Sequence, residues 1–286
     1  MKMLGFGDNI IDRFVDRRII YPGGNCVNFA VYARQLGADS AYLGVFGSDD
    51  YGRLLRDSLL AQGIAVEQCV IREGESGVSD IRVEDGDRVF EGWNGGGVTV
   101  IDPLIVDDDL RGYISDFALV HSSVYSSSES ELPKLRSLDS LVSFDFSSEP
   151  DYRTPDYLDR VCPHIDLGLV SGSDLPTSDV EALLIDLVTR GATLALATCG
   201  TAGAILWDGQ EFVRGEAVEV AVAEIVDTMG CGDAYLTGFA VHMMKSGWTR
   251  QSVPQRDDLA ACLLAAAAFA AEQCLVEGAF GHGSPF

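Results

Sequence analysis

The stretch Asp227-Thr228-Met229-Gly230-Cys231-Gly232-Asp233-Ala234-Tyr235-Leu236-Thr237-Gly238-Phe239 sets a glycine-rich turn directly ahead of an apolar segment of helical period. Two close glycines let consecutive backbone N–H groups point into one concavity, and the helix that follows adds its positive N-terminal end. Such a turn is a ready-made anion hole. Asp233 falls in the first turn of the helix, beside the held anion, where a carboxylate can accept a proton from an attacking hydroxyl. An aspartate in a first helical turn also serves as an ordinary cap or complements the helix dipole, and a bare Gly-x-Gly-Asp does not separate the two roles.

Outward from this turn, short β-rich runs alternate with longer segments of helical period, the pattern of an α/β domain around a largely parallel sheet. Strands are expected at Lys2 to Gly7, Ala41 to Phe46, Ala118 to Ser122, Leu141 to Phe146, Leu167 to Val170 and Leu194 to Thr198. Amphipathic helices are expected at Asn25 to Leu36, Tyr51 to Gln62 and Asp179 to Arg190. The last carries a capping box, Ser178 with Glu181, and Gly191 in the stop position. Two Asp-Gly pairs between strand-like runs predict hairpins, Val78 to Trp93 around Asp85-Gly86 and Ala204 to Val213 around Asp208-Gly209. The first can project as a β flap over a cleft, excluding water from a reactive phosphate, or be an ordinary edge hairpin. No repeat, low-complexity tract or linker forces a boundary, so residues 1–286 read as a single domain.

Composition narrows the partners. The 286 residues are 47% apolar, enough for a large core, and carry a formal net charge of −24. That field repels nucleic acid and anionic membranes, so neither is expected as a partner, and any phosphate ligand must be held by local groups. Seven cysteines are spread singly without a Cys-x-x-Cys pair, which suggests neither a disulfide framework nor a zinc site and fits a reducing, cytoplasmic compartment. The N-terminal apolar run Met3 to Phe6 lacks the features of a signal peptide, and the Leu259 to Ala271 stretch is too short for a membrane span.

A second glycine-rich signature lies near the other end: Gly23-Gly24-Asn25-Cys26-Val27-Asn28-Phe29-Ala30, then Gly44 to Gly52. Paired glycines allow close backbone approach, and Asn28 offers a donor and an acceptor to neighbouring hydroxyls. Together, Asp-Thr-x-Gly-x-Gly-Asp and this N-terminal signature resemble those of the ribokinase-like (PfkB) carbohydrate kinases, with Cys231 where Ala is typical. The resemblance spans nearly the whole chain. It implies a three-layer α/β/α sandwich with a mostly parallel central sheet and a small β lid from about 10–22 and 76–98. It also implies ATP and Mg²⁺ as cofactors, a small sugar as substrate and Asp233 as the base. A homodimer through the lid is expected, because so small a sheet cannot bury a core alone.

Carried over residue by residue, the resemblance assigns Asp8, Asp12, Gly23, Gly24 and Asn28 to the sugar. Asp87-Arg88-Val89-Phe90 resembles a lid element that adds Arg88. Thr198-Cys199-Gly200-Thr201-Ala202-Gly203 resembles the family's loop along the nucleotide, so Thr198, Gly200 and Gly203 become nucleotide contacts; at the C-terminal signature the resemblance adds Thr228 to them and has Gly230, Cys231 and Gly232 supply the anion-hole amides. The family's Asn-x-x-Glu motif, tied to magnesium, reads Ser171-Gly172-Ser173-Asp174 here; Asp174 replaces the glutamate with a shorter arm, or the role has lapsed. Gly7 to Asn9, Gly23 to Tyr32, Asp87 to Phe90, Val120 to Ser123 and Phe144 to Ser147 most resemble the members that phosphorylate the C6 hydroxyl of fructoselysine. His121, at a predicted strand end where ligands gather in open sheets, is a further substrate contact on geometric grounds. No Gly-x-Gly-x-x-Gly follows the first strand and no P-loop is present, which argues against a dinucleotide-dependent dehydrogenase or a P-loop enzyme. Another sugar or nucleoside kinase of the family (fructokinase, ribokinase, 2-keto-3-deoxygluconate kinase) and a non-catalytic sugar or nucleotide sensor are the alternatives; an intact Asp233 speaks against the sensor.

Overall fold

A computed structural model describes residues 1–84 and 87–286, without the side chains of residues 83, 84, 87 and 88. The Asp85-Gly86 turn and the Arg88 side chain, both singled out above, therefore lie outside the described residues.

Fourteen strands run through the described chain: β1 (Lys2–Gly7), β2 (Ile10–Phe14), β3 (Ile19–Gly23), β4 (Asp39–Gly47), β5 (Val70–Arg72), β6 (Val78–Glu84), β7 (Asp87–Trp93), β8 (Leu119–Ser123), β9 (Leu141–Asp145), β10 (Leu167–Ser171), β11 (Leu194–Thr198), β12 (Ala204–Trp207), β13 (Phe212–Gly215) and β14 (Ser284–Pro285). Nine of them form the central sheet in the order β13-β12-β11-β10-β9-β8-β1-β4-β5. All its pairings are parallel except β11 with β12 and β12 with β13, the second joined by the Asp208-Gly209 hairpin. Asp208 closes that turn by accepting the Gln210 and Glu211 amides, both at 2.8 Å.

The parallel strands are apolar at nearly every position because both faces are covered. With side chains alternating along a strand, Leu194 and Leu196 of β11 enter one layer while Ala195 and Ala197 enter the other. The first layer is completed by the helices Asn25–Gln35, Cys231–Lys245 and Arg256–Gln273, through Phe29, Leu236, Phe239 and Leu263. The second is completed by Pro155–Val161 and Thr177–Thr189, through Leu158, Leu184 and Leu187. Each such side chain taken from water contributes roughly 1.5–3 kcal/mol, so the sandwich is a rigid base for the site at its edge. The expected capping box is absent: Thr177–Thr189 starts two residues earlier than predicted, behind Pro176, and Ser178 Oγ turns to Asp179 at 3.2 Å. Proline at that boundary fixes the backbone that enters the helix, so the serine is already inside it.

A smaller five-stranded sheet, ordered β14-β3-β2-β6-β7, stands beside the main one. Its inner cluster is only Phe14, Tyr21 and Ile81 with a few neighbours. Register is pinned by a forked pair, Arg13 Nε and Nη2 to Asp80 Oδ1 and Oδ2 at 2.5 and 2.8 Å, between residues that face each other on β2 and β6. The C-terminal strand β14, not anticipated from the sequence, closes the edge along β3. Among the described residues no helix is long and apolar enough to cross a membrane.

Candidate active site

In open parallel sheets ligands collect beyond the carboxyl ends of the strands, where loops and helix N-termini converge. Two clefts occupy that edge here. One, of about 590 Å³, runs between the strand ends and the small sheet, with Asp8 after β1, Asp145 ending β9 and Trp93 ending β7 among its walls. The other, of about 800 Å³, is walled by Gly200, Gly203, Ala217, Thr228, Cys231 and Ala271 among others. The clefts meet at Ser171, Thr198 and Gly232, which line both.

The turn that opened the sequence reading sits on this seam. Asp227 ties it down, accepting the amides of Met229 at 2.9 Å and Gly278 at 3.1 Å. Gly230 then adopts a left-handed conformation, φ 71°, where a Cβ would stand 2.6 Å from the Tyr32 hydroxyl and 2.9 Å from Ala279. Only glycine fits that backbone and that space. The helix Cys231–Lys245 starts here. The Cys231 amide closes the turn onto the Thr228 carbonyl at 3.3 Å, and the Ala234 amide bonds the Gly230 carbonyl at 2.8 Å to begin the helical ladder. The Cys231 and Cys274 sulfurs lie 3.1 Å apart in the wall of the larger cleft.

Asp233 is buried at the seam, and Asn28 Nδ2 donates to its Oδ2 at 2.7 Å. Burial pushes the Asp233 carboxyl well above the usual range and the neighbouring Asp145 charge pushes the same way, against the Asn28 bond. A carboxylate so placed is a stronger base than a solvated one. Asn28 therefore has two jobs: its Nδ2 steadies Asp233, while its buried Oδ1, without a partner among the described residues, remains to accept from a ligand in the smaller cleft. Gly23 and Gly24 let the acidic residues come close. A Cβ on Gly24 would sit 2.9 Å from Asp8 Oδ2, and one on Gly23 2.7 Å from Asp12 Oδ2. Asp8 Oδ1 accepts from both Ser123 and Ser126 at 2.8 Å, leaving Oδ2 on the Gly24 side.

The structure brings Asp8, Asp12, Gly24, Asn28, Gly230, Gly232 and Asp233 to the smaller cleft, with Gly23 packed behind Asp12. Thr198, Gly200, Gly203, Thr228 and Cys231 come to the larger one. His121 is not brought there. It is fully buried, stacked on Phe29 at 4.6 Å, its Nδ1 paired with Ser143 Oγ at 3.0 Å, and burial pushes its pKa down to about 3. β8 runs on to Ser123, so His121 stands two residues short of the strand end and the edge residue is the serine. Asp174 is exposed and lines neither cleft. Among the described residues no group of three or more His, Cys, Asp or Glu side chains could hold a metal ion.

Sequence reasoning missed a third acidic wall. Asp145 is buried and accepts from Asn25 Nδ2 at 2.8 Å and from the Ser147 amide at 2.7 Å; burial pushes its pKa up to about 7, against the Ser147 bond and with the Asp8 charge. Beyond it, Tyr125, Glu149 and Tyr152 form the outer rim. The Phe144-Asp145-Phe146-Ser147 run was visible as a pattern, but nothing local announced that Asn25, 120 positions away, would meet it.

The model of the pfkB family of carbohydrate kinases matches residues 15–282. The chain is 38% identical over 287 residues to a fructosamine kinase, FrlD, of Bacillus subtilis, covering 100% of this chain and 95% of the relative. It is 31% identical over 260 residues to a fructoselysine 6-kinase of Shigella flexneri, covering 89% and 93%. Among solved structures, a fructokinase with bound ATP from Xylella fastidiosa superposes with a TM-score of 0.80 at 19% identity, over 98% of this chain and 94% of that one. A ribokinase of Arabidopsis thaliana superposes with a TM-score of 0.77 at 18% identity, over 97% and 93%. At such identities the structures speak for the ribokinase-like fold.

Proposed function

Because the chain belongs to the pfkB family of carbohydrate kinases, we propose that this sugar kinase transfers the γ-phosphoryl group of ATP to the C6 hydroxyl of a fructosamine, fructoselysine or a close relative of it. The observation that carries the mechanism is the position of Asp233, buried at the helix N-terminus where the two clefts meet. Sugar occupies the smaller cleft, against Asp8, Asp12 and Asn28, and nucleotide the larger, along Thr198, Gly200, Gly203 and Thr228. Asp233 takes the proton of the C6 hydroxyl; that oxygen bonds to the γ-phosphorus as the bond to ADP breaks, and ADP leaves with the electron pair. The amides at the start of the helix receive the charge on the transferred group.

Mg²⁺ belongs to the proposal as the partner of the triphosphate, neutralising its charge. Among the described residues there is no all-protein cage, which suits an ion carried mainly by phosphates and water. We assign no residue to it, and Asp174 is not placed for the task. The exposed Val89 and Phe90 on β7 support the homodimer through the small sheet, which light scattering tests: a monomer at every working concentration removes it.

The substrate reading rests on the relatives at 38% and 31% identity. It is tested by an ADP-release assay across fructoselysine, fructose, ribose, 2-keto-3-deoxygluconate and adenosine at equal concentrations. Fructoselysine is expected to give the highest kcat/KM. A higher value for any unmodified sugar or nucleoside rejects the fructosamine while leaving a kinase.

A further inference from the structure

The smaller cleft has an unusual charge balance. Among the described residues its walls carry five acids, Asp8, Asp12, Asp145, Glu149 and Asp233, and no Lys, Arg or His. Asp8, Asp145, Glu149 and Asp233 make no ion pair with any described residue. Arg153, the nearby base, donates Nη2 to the carbonyls of Ser147 and Ser171, both at 2.6 Å; it forms no ion pair with Glu149 or Asp145, although its charge acts on both. Carboxylates held together at such a site call for a cation from the ligand.

The acids act on one another in a chain: Asp233 feels Asp145, Asp8 and Asp12, and Glu149 acts on Asp145. Glu149 is oriented rather than free to swing: its Oε1 accepts from the Tyr125 hydroxyl and its Oε2 from the Ser148 amide at 3.2 Å. Aromatic rings line the cleft with it. Tyr125 and Tyr152 meet edge to face at 6.3 Å, and Phe90 and Trp93 line the same cleft from β7 while remaining 65% and 54% exposed. The loop beneath is held in an uncommon shape, with Ser147 at φ 56° and its amide on Asp145. A second sign of a ligand is the buried Asn28 Oδ1, on a residue that lines the cleft, which has no partner among the described residues.

A carboxylate ringed by aromatic faces attracts an organic ammonium through both charge and ring quadrupole, whereas a hydrated metal ion gains little from the rings. We propose that Glu149, with Tyr125, Tyr152 and Trp93, forms the subsite that reads the protonated amine of the acceptor, making Glu149 the residue that separates an amine adduct from a plain ketose. This rests on the fructosamine reading above and deepens it. The chemistry of the acceptor fits the ends of the cleft: in a ketosamine the amine is on C1, at the opposite end of the sugar from C6, so a C6 hydroxyl at Asp233 sends the ammonium away from the seam, toward Glu149.

The test compares fructoselysine with an ether isostere, in which oxygen replaces the C1 nitrogen and the rest of the side chain is matched by an uncharged alkyl group, on the wild type and on Glu149→Gln. The wild type is expected to favour the amine over the ether by about a hundredfold in kcat/KM, and Glu149→Gln to cut that ratio by at least about tenfold, chiefly through KM. A Gln variant that keeps the full ratio overturns the assignment and leaves the fructosamine reading standing. A wild type that treats amine and ether alike overturns the cation subsite; one that turns over fructose better than either removes the fructosamine reading and the subsite with it. Should the Gln variant melt well below its parent, Trp93→Leu, which strips an exposed ring from the same subsite, carries the comparison: a lowered ratio supports the cage and an unchanged one overturns it.

Discussion

The two clefts that meet at Gly232 are built from different materials. The smaller is walled by carboxylates, amides, hydroxyls and aromatic rings, drawn from segments as far apart in sequence as Asp8 and Asp233. The larger is walled mainly by glycine, alanine, valine and threonine, with Glu219 as an acid among them. The difference matches what each ligand demands. A sugar is read through its hydroxyls and, here, a charge, so its cleft needs side chains fixed by second partners, as Asp8 is by two serines and Asp145 by Asn25. A nucleotide offers a flat apolar base and a phosphate tail, which apolar walls and backbone amides accept without charged side chains. In the proposed mechanism catalysis belongs to the line where the two meet.

If that division is right, its largest signature is at the seam. Asp233→Asn should lower kcat by on the order of a hundredfold or more with the melting temperature little reduced, since it removes a base and keeps the Asn28 contact in shape. Steady-state kinetics beside a melting curve checks this, and near-normal kcat makes Asp233 a cap only. Gly230→Ala should disturb both clefts together. Left-handed backbone and a Cβ 2.6 Å from the Tyr32 hydroxyl cost about 2 kcal/mol or more, and the misplaced amides should lower kcat by roughly tenfold. An enzyme that melts and turns over normally would show that the turn has room to spare.

The acidic cleft also predicts a pH effect that the other cleft lacks. Asp233 acts only when deprotonated, and its raised pKa gives the rate an acidic limb; Asp145→Asn removes a like charge and should shift that limb to lower pH. Asp145 itself, raised to about 7, holds its proton in the folded state above the pH at which an unfolded aspartate loses it. Its contribution to ligand-free stability is therefore full below about pH 4 and is lost as pH rises to about 7; Asp145→Asn should flatten that fall in denaturant titrations. The smallest effect belongs to the apolar wall: Ala271→Phe should raise KM for ATP severalfold and leave KM for the sugar nearly unchanged, whereas a change in both would erase the distinction between the clefts.

The two clefts were unequally legible. The turn Asp227–Phe239 and the glycine pair at 23–24 are local features, where backbone geometry dictates residue type, and both read directly from the chain. So did the strands, because a parallel sheet covered on both faces leaves continuous apolar runs such as Leu194–Thr198. The acidic rim was hidden, since Glu149 and Tyr125 acquire meaning only when the ends of β8 and β9 lie side by side. His121 misled for the opposite reason. It stands near the end of a strand, but a short continuation to Ser123 carried the edge past it and its ring packed inward on Phe29. The Ser178 box failed through a similar slip of two residues, set by Pro176.

The most direct test of phosphoryl transfer at this seam is the position of the new phosphate. Incubating the wild-type enzyme with ATP, Mg²⁺ and fructoselysine carrying ¹³C at C6, and following ³¹P–¹³C coupling by NMR, should yield a phosphate ester coupled to C6 in step with ADP release. A phosphate on another oxygen, or ADP released with free phosphate and no ester, would contradict the account.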